Sequence, residues 1–236
     1  MTPTLNARPR AQTVLIPAGV MLPGDITIPT GAKGLVIFAH GSGSSRLSSR
    51  NQRVAAQLQT GGFATMLFDL LTAEEESLDA HTGHLRFDVT LLAERLAKVT
   101  DWARVQSATS SLPIGYFGAS TGAAAALIAA ATLPEVVHAV VSRGGRPDLA
   151  GPYLARVRAP TLLIVGGDDT PVIRMNQTAL RQLTSPTKEL VIVPGATHLF
   201  EEPGALDRAA DLALQWFGRY LGGARMPMDD VESEIC

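Results

Sequence analysis

Short, continuously apolar segments alternate along this chain with longer amphipathic segments, and this alternation restricts the fold more than any other feature. Six runs are apolar at nearly every position, as in strands buried on both faces; they cover residues 35–39, 64–68, 114–117, 139–141, 161–165 and 190–193. Five segments repeat apolar residues at three- and four-residue spacing, as helices do; they cover residues 49–59, 85–105, 121–133, 172–183 and 205–220. The alternation predicts a mostly parallel, doubly wound α/β sheet, in which ligands bind at the carboxyl ends of the strands.

Two further strands are expected before the first apolar run. The β-branched segments 13–16 and 25–28 are separated by a stretch rich in proline and glycine, which predicts a hairpin of two edge strands. The predicted sheet therefore has about eight strands, and no insertion long enough for a cap domain interrupts the pattern. We expect residues 1–221 to form a single domain and the polar, acidic residues 222–236 to form a mobile tail.

Composition and charge exclude several classes of function. Lys and Arg total 20 against 22 Asp and Glu, and no basic block is present, so we expect no nucleic-acid partner. The single cysteine, Cys236, permits neither an intrachain disulfide nor a cysteine-based metal site. No stretch reaches the ~20 apolar residues of a membrane span, and residues 1–10 lack the apolar core of a signal peptide. We expect a cytoplasmic protein of open oligomeric state.

Residues 118–122, Gly-Ala-Ser-Thr-Gly, fit the G-x-S-x-G pattern of a nucleophile elbow. An elbow is a sharp turn from a strand into a helix, and it needs glycines because side chains at those positions would clash. The pattern here follows the apolar run 114–117 and opens an alanine-rich helix. We predict that Ser120 is a nucleophile; the alternative is a serine that only caps the helix.

A serine nucleophile needs a base within hydrogen-bonding reach, and five histidines are candidates. His198 is the best of them, because it follows the last predicted strand and so lies at the ligand-binding edge of the sheet. His138 begins an apolar strand, which indicates a structural role. His81 and His84 form a His-x-x-His pair that could bind a metal, but we expect neither metal nor cofactor. The nearby acidic run 74–76 is interpreted as a solvated loop, with a lid over the site as the alternative.

His40 opens a glycine- and serine-rich loop, residues 40–46, after the strand 35–39. A phosphate-binding P-loop is one interpretation of it, but that pattern requires a lysine after the glycines, and none follows here. An oxyanion hole fits better. In hydrolases of this layout one N–H comes from this loop and another from the residue after the nucleophile, which predicts the backbone N–H groups of Ser42 and Thr121.

A catalytic triad also needs an acid that orients the base. Asp168 and Asp169 both follow the predicted strand 161–165, and their position alone leaves both open. In either case the chain order is serine, aspartate, histidine, which is the order of α/β-hydrolases.

The segments HGSGSSR, GASTG, VGGDDTPV and PGATHLFEEPG together resemble the α/β-hydrolase superfamily, and within it the dienelactone-hydrolase-like family, over nearly the whole chain. The resemblance implies an α/β-hydrolase fold without a cap domain and a triad of Ser120, Asp169 and His198. Dienelactone hydrolases proper carry a cysteine at the position of Ser120. The serine therefore indicates ordinary ester hydrolysis rather than action on dienelactone.

Residues 141–148, VSRGGRPD, also resemble a segment of relatives, some of which are fused to a phosphoribosyltransferase domain that these 236 residues do not contain. Arg143 and Arg146 could anchor an anionic group there, but pairing with Asp148 or the acidic run is the favoured interpretation. We expect a serine hydrolase of small carboxylic esters, with lactones left open, that forms an acyl-enzyme intermediate. The alternative is a non-catalytic binding module that keeps the fold.

Overall fold

The computed structural model describes residues 11–222. In this part of the chain, eight strands form one sheet; they are Gln12–Pro17 (β1), Met21–Thr27 (β2), Leu35–Ala39 (β3), Ala64–Phe68 (β4), Ile114–Ala119 (β5), Val137–Arg143 (β6), Thr161–Gly166 (β7) and Lys188–Val193 (β8). Their order across the sheet is β1-β2-β4-β3-β5-β6-β7-β8. β2 runs antiparallel to β1 and β4, and the other neighbouring pairs are parallel. The predicted α/β sheet is confirmed.

Helices cover both faces of the sheet, because the central strands carry apolar side chains on both sides. They are Ser49–Thr60 (α1), Ala73–Thr82 (α2), Val89–Val105 (α3), Thr121–Thr132 (α4), Thr170–Gln182 (α5), Ala205–Leu221 (α6) and a 3₁₀ segment at Pro147–Arg156. The residues of α3, α4 and α5 join one hydrophobic cluster, and those of α1 and α6 join a second cluster on the other face. Between residues 11 and 222 no helix combines the length and the apolar character that crossing a membrane requires.

The parallel register brings several strand ends to one edge of the sheet. Gly118, near the end of β5, is paired with Ala39 of β3 and with Ser142 of β6. Arg143, the last residue of β6, is paired with Ala119. The segments that follow β3, β5 and β6 therefore meet beside one another, and those after β7 and β8 adjoin them.

Two predictions about the elements were wrong. β2 is not an edge strand, because it lies between β1 and β4. The acidic run 74–76 is not a loop, because it forms the first turn of α2, where Thr72 and Glu75 make a capping box. A third difference concerns a boundary: the helix predicted at residues 85–105 begins later, at Val89, because Asp88 caps its first turn.

The proposal of a single domain over residues 1–221 stays a prediction. The predicted mobile tail lies outside the described residues from residue 223 onward.

Candidate active site

The turn from β5 into α4 holds Ser120 at φ 50° and ψ −122°, a backbone conformation that few residues other than glycine adopt. The turn is tight because α4 packs closely against its neighbours. A Cβ atom on Gly122 would lie 2.2 Å from the carbonyl oxygen of Ala39, and one on Gly118 would lie 2.5 Å from the Cα of Ala123. Both glycines of the predicted elbow are therefore required by contact distances, as a nucleophile elbow demands.

His198 and Asp169 lie on different loops and meet through a hydrogen bond. Nδ1 of His198 is 2.7 Å from Oδ2 of Asp169, and the Asp169 side chain is 11% exposed. An ionised carboxylate only accepts hydrogen bonds, so Nδ1 carries the hydrogen and Nε2 is left to act as a base. Asp169 is also the N-cap residue of α5, but its side chain makes no capping bond there. The alternative acid, Asp168, is exposed and does not bond to His198.

The loop after β8, which carries His198, is held by hydrogen bonds within the loop and by packing against the segment after β6. Glu202 accepts hydrogen bonds from the N–H of Thr197 at 3.0 Å and from its hydroxyl at 2.5 Å. Phe200 is buried and adopts a left-handed φ of 58°. Gly144, after β6, packs so closely that a Cβ there would lie 3.0 Å from the carbonyl oxygen of His198. The position of the histidine therefore depends on two separate loops.

Ser120 and His198 line one cavity of about 270 Å³ at the carboxyl edge of the sheet. No hydrogen bond joins the two side chains anywhere in the described structure. Catalytic hydrogen bonds of this kind are often long without substrate and tighten when substrate binds. Transfer of the serine proton to the imidazole therefore stays a prediction, supported by the position of both residues in one cavity.

The loop after β3 lies against the elbow. The N–H of Ser42 donates to the side-chain oxygen of Thr121 at 2.8 Å. The N–H of Thr121 belongs to the first turn of α4, where N–H groups have no acceptor within the helix. An oxyanion would have to share or displace the bond from Ser42, and the role of these two N–H groups as an oxyanion hole stays a prediction.

His40 has a structural role in this loop. Its Nε2 accepts a hydrogen bond from the N–H of Leu70 at 3.0 Å, and its Nδ1 lies 2.9 Å from the carbonyl oxygen of Gly41. These partners fit a neutral ring with its hydrogen on Nδ1, and burial lowers the pKa of His40. The imidazole thus ties the end of β3 to the segment after β4.

The two arginines after β6 have different surroundings. Arg146 forms a bidentate ion pair with Asp148, with N–O distances of 2.9 and 2.8 Å, as the sequence indicated. Arg143 is 6% exposed and has no carboxylate partner in the described part of the chain. It donates instead to the side-chain oxygen of Asn51 at 3.3 Å. The ion-pair interpretation is confirmed for Arg146 and wrong for Arg143.

Four residues of the cavity wall were not singled out from the sequence. Ser48 caps α1, Arg50 and Asn51 belong to its first turn, and Leu199 follows the histidine. An asparagine within a predicted helix is the one signal that pointed to this wall, because asparagine favours caps and turns over helix interiors. A neighbouring cavity of about 310 Å³ shares the loop after β3 as a wall and reaches residues of α2, a helix that was also missed.

The remaining histidines lie away from the cavity that contains Ser120. His81 is in the last turn of α2, with Nδ1 3.3 Å from the carbonyl oxygen of Ser77, and His84 follows that helix. His138 is an exposed residue of β6. Over residues 11–222, no group of three or more histidine, cysteine, aspartate or glutamate side chains is arranged to hold a metal ion.

Known proteins that resemble this chain have the same fold. The model of the dienelactone hydrolase family matches residues 22–221. The crystal structure of a dienelactone hydrolase from Anabaena variabilis has a TM-score of 0.89 and 59% sequence identity, and the match covers 91% of this chain and 100% of that one. Esterase Pf2001 from Pyrococcus furiosus has a TM-score of 0.74 at 19% identity, covering 91% of this chain and 92% of that one. At that identity the likeness concerns the fold alone.

Two curated proteins of Mycobacterium tuberculosis, from strains CDC 1551 and H37Rv, are each named "Putative phosphoribosyl transferase". Each is 57% identical to this chain over 216 residues, which are 91% of this chain and 47% of the relative. The chain thus spans about half the length of these curated relatives. Because the family model matches the chain from β2 to the end of α6 and includes Ser120, Asp169 and His198, the chain belongs to the dienelactone hydrolase family of hydrolases.

Proposed function

We propose that this hydrolase is a serine esterase that cleaves small carboxylic esters through an acyl-enzyme intermediate, with action on lactones left open. The observation that carries the proposal is the 2.7 Å bond from His198 to Asp169, beside a serine held in an elbow turn. The serine, aspartate and histidine follow one another in the chain order of α/β-hydrolases, and the bond between the last two supports a Ser-His-Asp mechanism of acyl transfer.

The first half of the reaction forms the acyl-enzyme. Oγ of Ser120 attacks the ester carbonyl while Nε2 of His198 takes the hydroxyl proton. The negative charge that develops on the carbonyl oxygen is received by the N–H groups of Ser42 and Thr121. The bond between the carbonyl carbon and the alcohol oxygen then breaks, and His198 returns its proton to the departing alcohol.

The second half of the reaction releases the acid. His198 takes a proton from a water molecule as the water oxygen attacks the acyl carbonyl. The bond between the acyl carbon and Oγ of Ser120 then breaks, His198 returns the proton to Oγ, and the carboxylic acid leaves. Asp169 holds the imidazole in one tautomer and stabilises the imidazolium in both halves. No metal or organic cofactor takes part in this scheme.

The transferase activity in the name of the mycobacterial relatives is not carried over to this chain. The match covers 47% of those proteins. A Ser-His-Asp arrangement serves acyl transfer to water, and nothing in that chemistry requires a phosphoribosyl donor.

A fluorophosphonate probe tests the proposal, because it reacts readily only with an activated serine. We expect peptide mass spectrometry to find the label on Ser120 and the same preparation to hydrolyse 4-nitrophenyl esters. The Ser120→Ala variant should show neither. If Ser120 of the folded protein stays unlabelled and no ester is cleaved, the alternative of a non-catalytic binding module takes the place of the esterase.

A further inference from the structure

Arg143 is a buried cation in the wall of the cavity that contains Ser120, and residues 11–222 supply no anionic partner for it. Its Nε has no hydrogen-bond partner in the described part of the chain, and its one hydrogen bond goes to the neutral amide of Asn51. The guanidinium also lies 5.7 Å from the centre of the Phe200 ring. Buried charges are normally paired, because removing a charge from water is costly.

The charged groups nearby do not supply the missing anion. Burial, together with the like charge of Arg50, lowers the pKa of Arg143 to about 10, so the guanidinium stays protonated at neutral pH. Glu201 bonds to Arg50, at 3.1 Å, and not to Arg143. Asp169 is engaged by His198. Arg143 is therefore left with its charge uncompensated inside the protein.

Other groups that favour anions line the same cavity. Helix α1 begins at its wall, with Ser48 as the N-cap residue, and the first N–H groups of a helix have no acceptor within it. Arg50 lies in that first turn, and Ser44 is a further part of the wall. Guanidinium groups and helix N-termini are the groups with which proteins bind phosphate and carboxylate.

We propose that Arg143 and Arg50, with the N-terminus of α1, form a subsite for an anionic group carried by the ester substrate. The group is a carboxylate or a phosphate, which share a negative charge spread over oxygens that accept several N–H bonds. The inference rests on the proposed esterase function, because the subsite and Ser120 share one cavity and so bind parts of one molecule. The substrates are then esters with a second, negatively charged end.

Two matched esters test the charge selectivity. Mono-4-nitrophenyl glutarate and 4-nitrophenyl pentanoate have acyl chains of equal length, and only glutarate ends in a carboxylate. At constant ionic strength we expect kcat/KM to be higher for glutarate by about tenfold or more, because charge-assisted bonds to an anion are strong. Arg143→Met should remove this preference by raising KM for the glutarate ester, so that the ratio of kcat/KM between the two esters falls to about one.

Competitive inhibition distinguishes a phosphate group from a carboxylate group as the preferred ligand of the subsite. Inorganic phosphate and free glutarate are each added to the pentanoate reaction, and the better competitive inhibitor identifies the preferred group. Arg143→Met should weaken that inhibition by about tenfold. Arg146→Gln is the matched control, because Arg146 follows the same strand but is paired with Asp148, and it should behave as the unaltered protein does.

An equal loss of kcat/KM on both esters in Arg143→Met would overturn the inference. A residue that stabilises the oxyanion or the fold affects the charged and the uncharged ester alike. Unaltered protein that cleaves both esters equally well would overturn it too. If Arg143→Met does not fold, Arg50→Gln must show the same selective loss on glutarate. Binding to the inactive Ser120→Ala protein, measured as a thermal shift with phosphate or glutarate, tests the subsite even if the protein cleaves no ester.

Discussion

At the scale of single residues, the adjacent side chains of Asp168 and Asp169 have different exposure and different contacts. The side chain of Asp169 is largely buried against His198, and that of Asp168 is exposed. The difference arises because consecutive residues in the turn after β7 point in different directions. The role of orienting acid therefore belongs to Asp169 in the proposed mechanism.

We expect Asp169→Asn to lower kcat by about 10⁴, because an amide at this position permits the wrong imidazole tautomer and does not stabilise the imidazolium. Asp168→Asn is the matched control and should change kcat little. The measurement is kcat for 4-nitrophenyl acetate at one pH, with circular dichroism to verify the fold. An active Asp169 variant beside an inactive Asp168 variant would assign the acid to the neighbouring residue.

At the scale of secondary-structure elements, α2 is held to α3 by one ion pair. Glu75, three residues into the capping box of α2, accepts hydrogen bonds from Arg95 at 2.7 and 2.5 Å. Arg95 also donates to the carbonyl oxygen of Leu70 at 2.7 Å. Because Arg95 is 5% exposed, loss of the carboxylate would leave a buried cation with one neutral partner.

This pair predicts a pH-dependent contribution to stability. The bond from Arg95 lowers the pKa of Glu75 below its ordinary value of 4.5. A lowered folded-state pKa means that the contribution is present above pH 4.5 and is lost as the pH falls through the folded-state pKa. Glu75→Gln should therefore reduce the free energy of unfolding by about 1 kcal/mol at pH 7, since the pair is partly exposed, and by less at pH 3.5.

Urea unfolding at the two pH values measures this difference. Glu94→Gln is the control, because Glu94 is an exposed acid of α3 that forms no ion pair with any residue between 11 and 222. Its effect should be small at both pH values. A Glu75→Gln effect that is constant between pH 7 and pH 3.5 would contradict the assignment of the pH dependence to this carboxylate.

At the scale of the whole molecule, the elements alternate from β3 to α6 without an inserted domain. The cavity that contains Ser120 has a volume of about 270 Å³, and its wall includes Arg50 and Arg143. A small cavity with charged walls does not shelter a long apolar chain from water. Short acyl groups therefore fit this architecture better.

We expect kcat/KM for 4-nitrophenyl butyrate to exceed that for the palmitate ester. A series from acetate to palmitate, measured below the concentration at which the long esters form micelles, checks this. A rise in kcat/KM with chain length would mean that an apolar surface outside the cavity contributes to binding.

The proposed chemistry also predicts that activity survives prolonged treatment with EDTA, because serine, histidine and aspartate complete the reaction without a Lewis acid. Hydrolysis of the butyrate ester before and after dialysis against EDTA measures this. A large loss of activity that Zn²⁺ restores would contradict the metal-free mechanism and would indicate a metal site at His81 and His84, whose spacing is that of a metal-binding pair.

The type and order of most elements, and the elbow at Ser120, are determined by the sequence because each depends on neighbours within a few residues. Continuous apolar runs specify buried strands, three- and four-residue spacing specifies helices, and Gly118 and Gly122 specify a turn without room for side chains. The capping box of Thr72 and Glu75 was an equally local signal for α2. It was overlooked because the acidic run around it is also typical of a loop.

Only the tertiary structure decided which groups meet across long distances in the chain. β2 is an internal strand because β4 pairs with its free side, whereas the sequences of β1 and β2 do not show which strand of the hairpin joins the sheet. Position after β7 left Asp168 and Asp169 equivalent, and the hydrogen bond of Asp169 to a histidine 29 residues away distinguishes them physically. Arg143 donates its hydrogen bond to the neutral side chain of Asn51, 92 residues earlier, and not to a carboxylate. Local patterns specify backbone conformation, whereas the pairing of a charge depends on the packing of the whole chain.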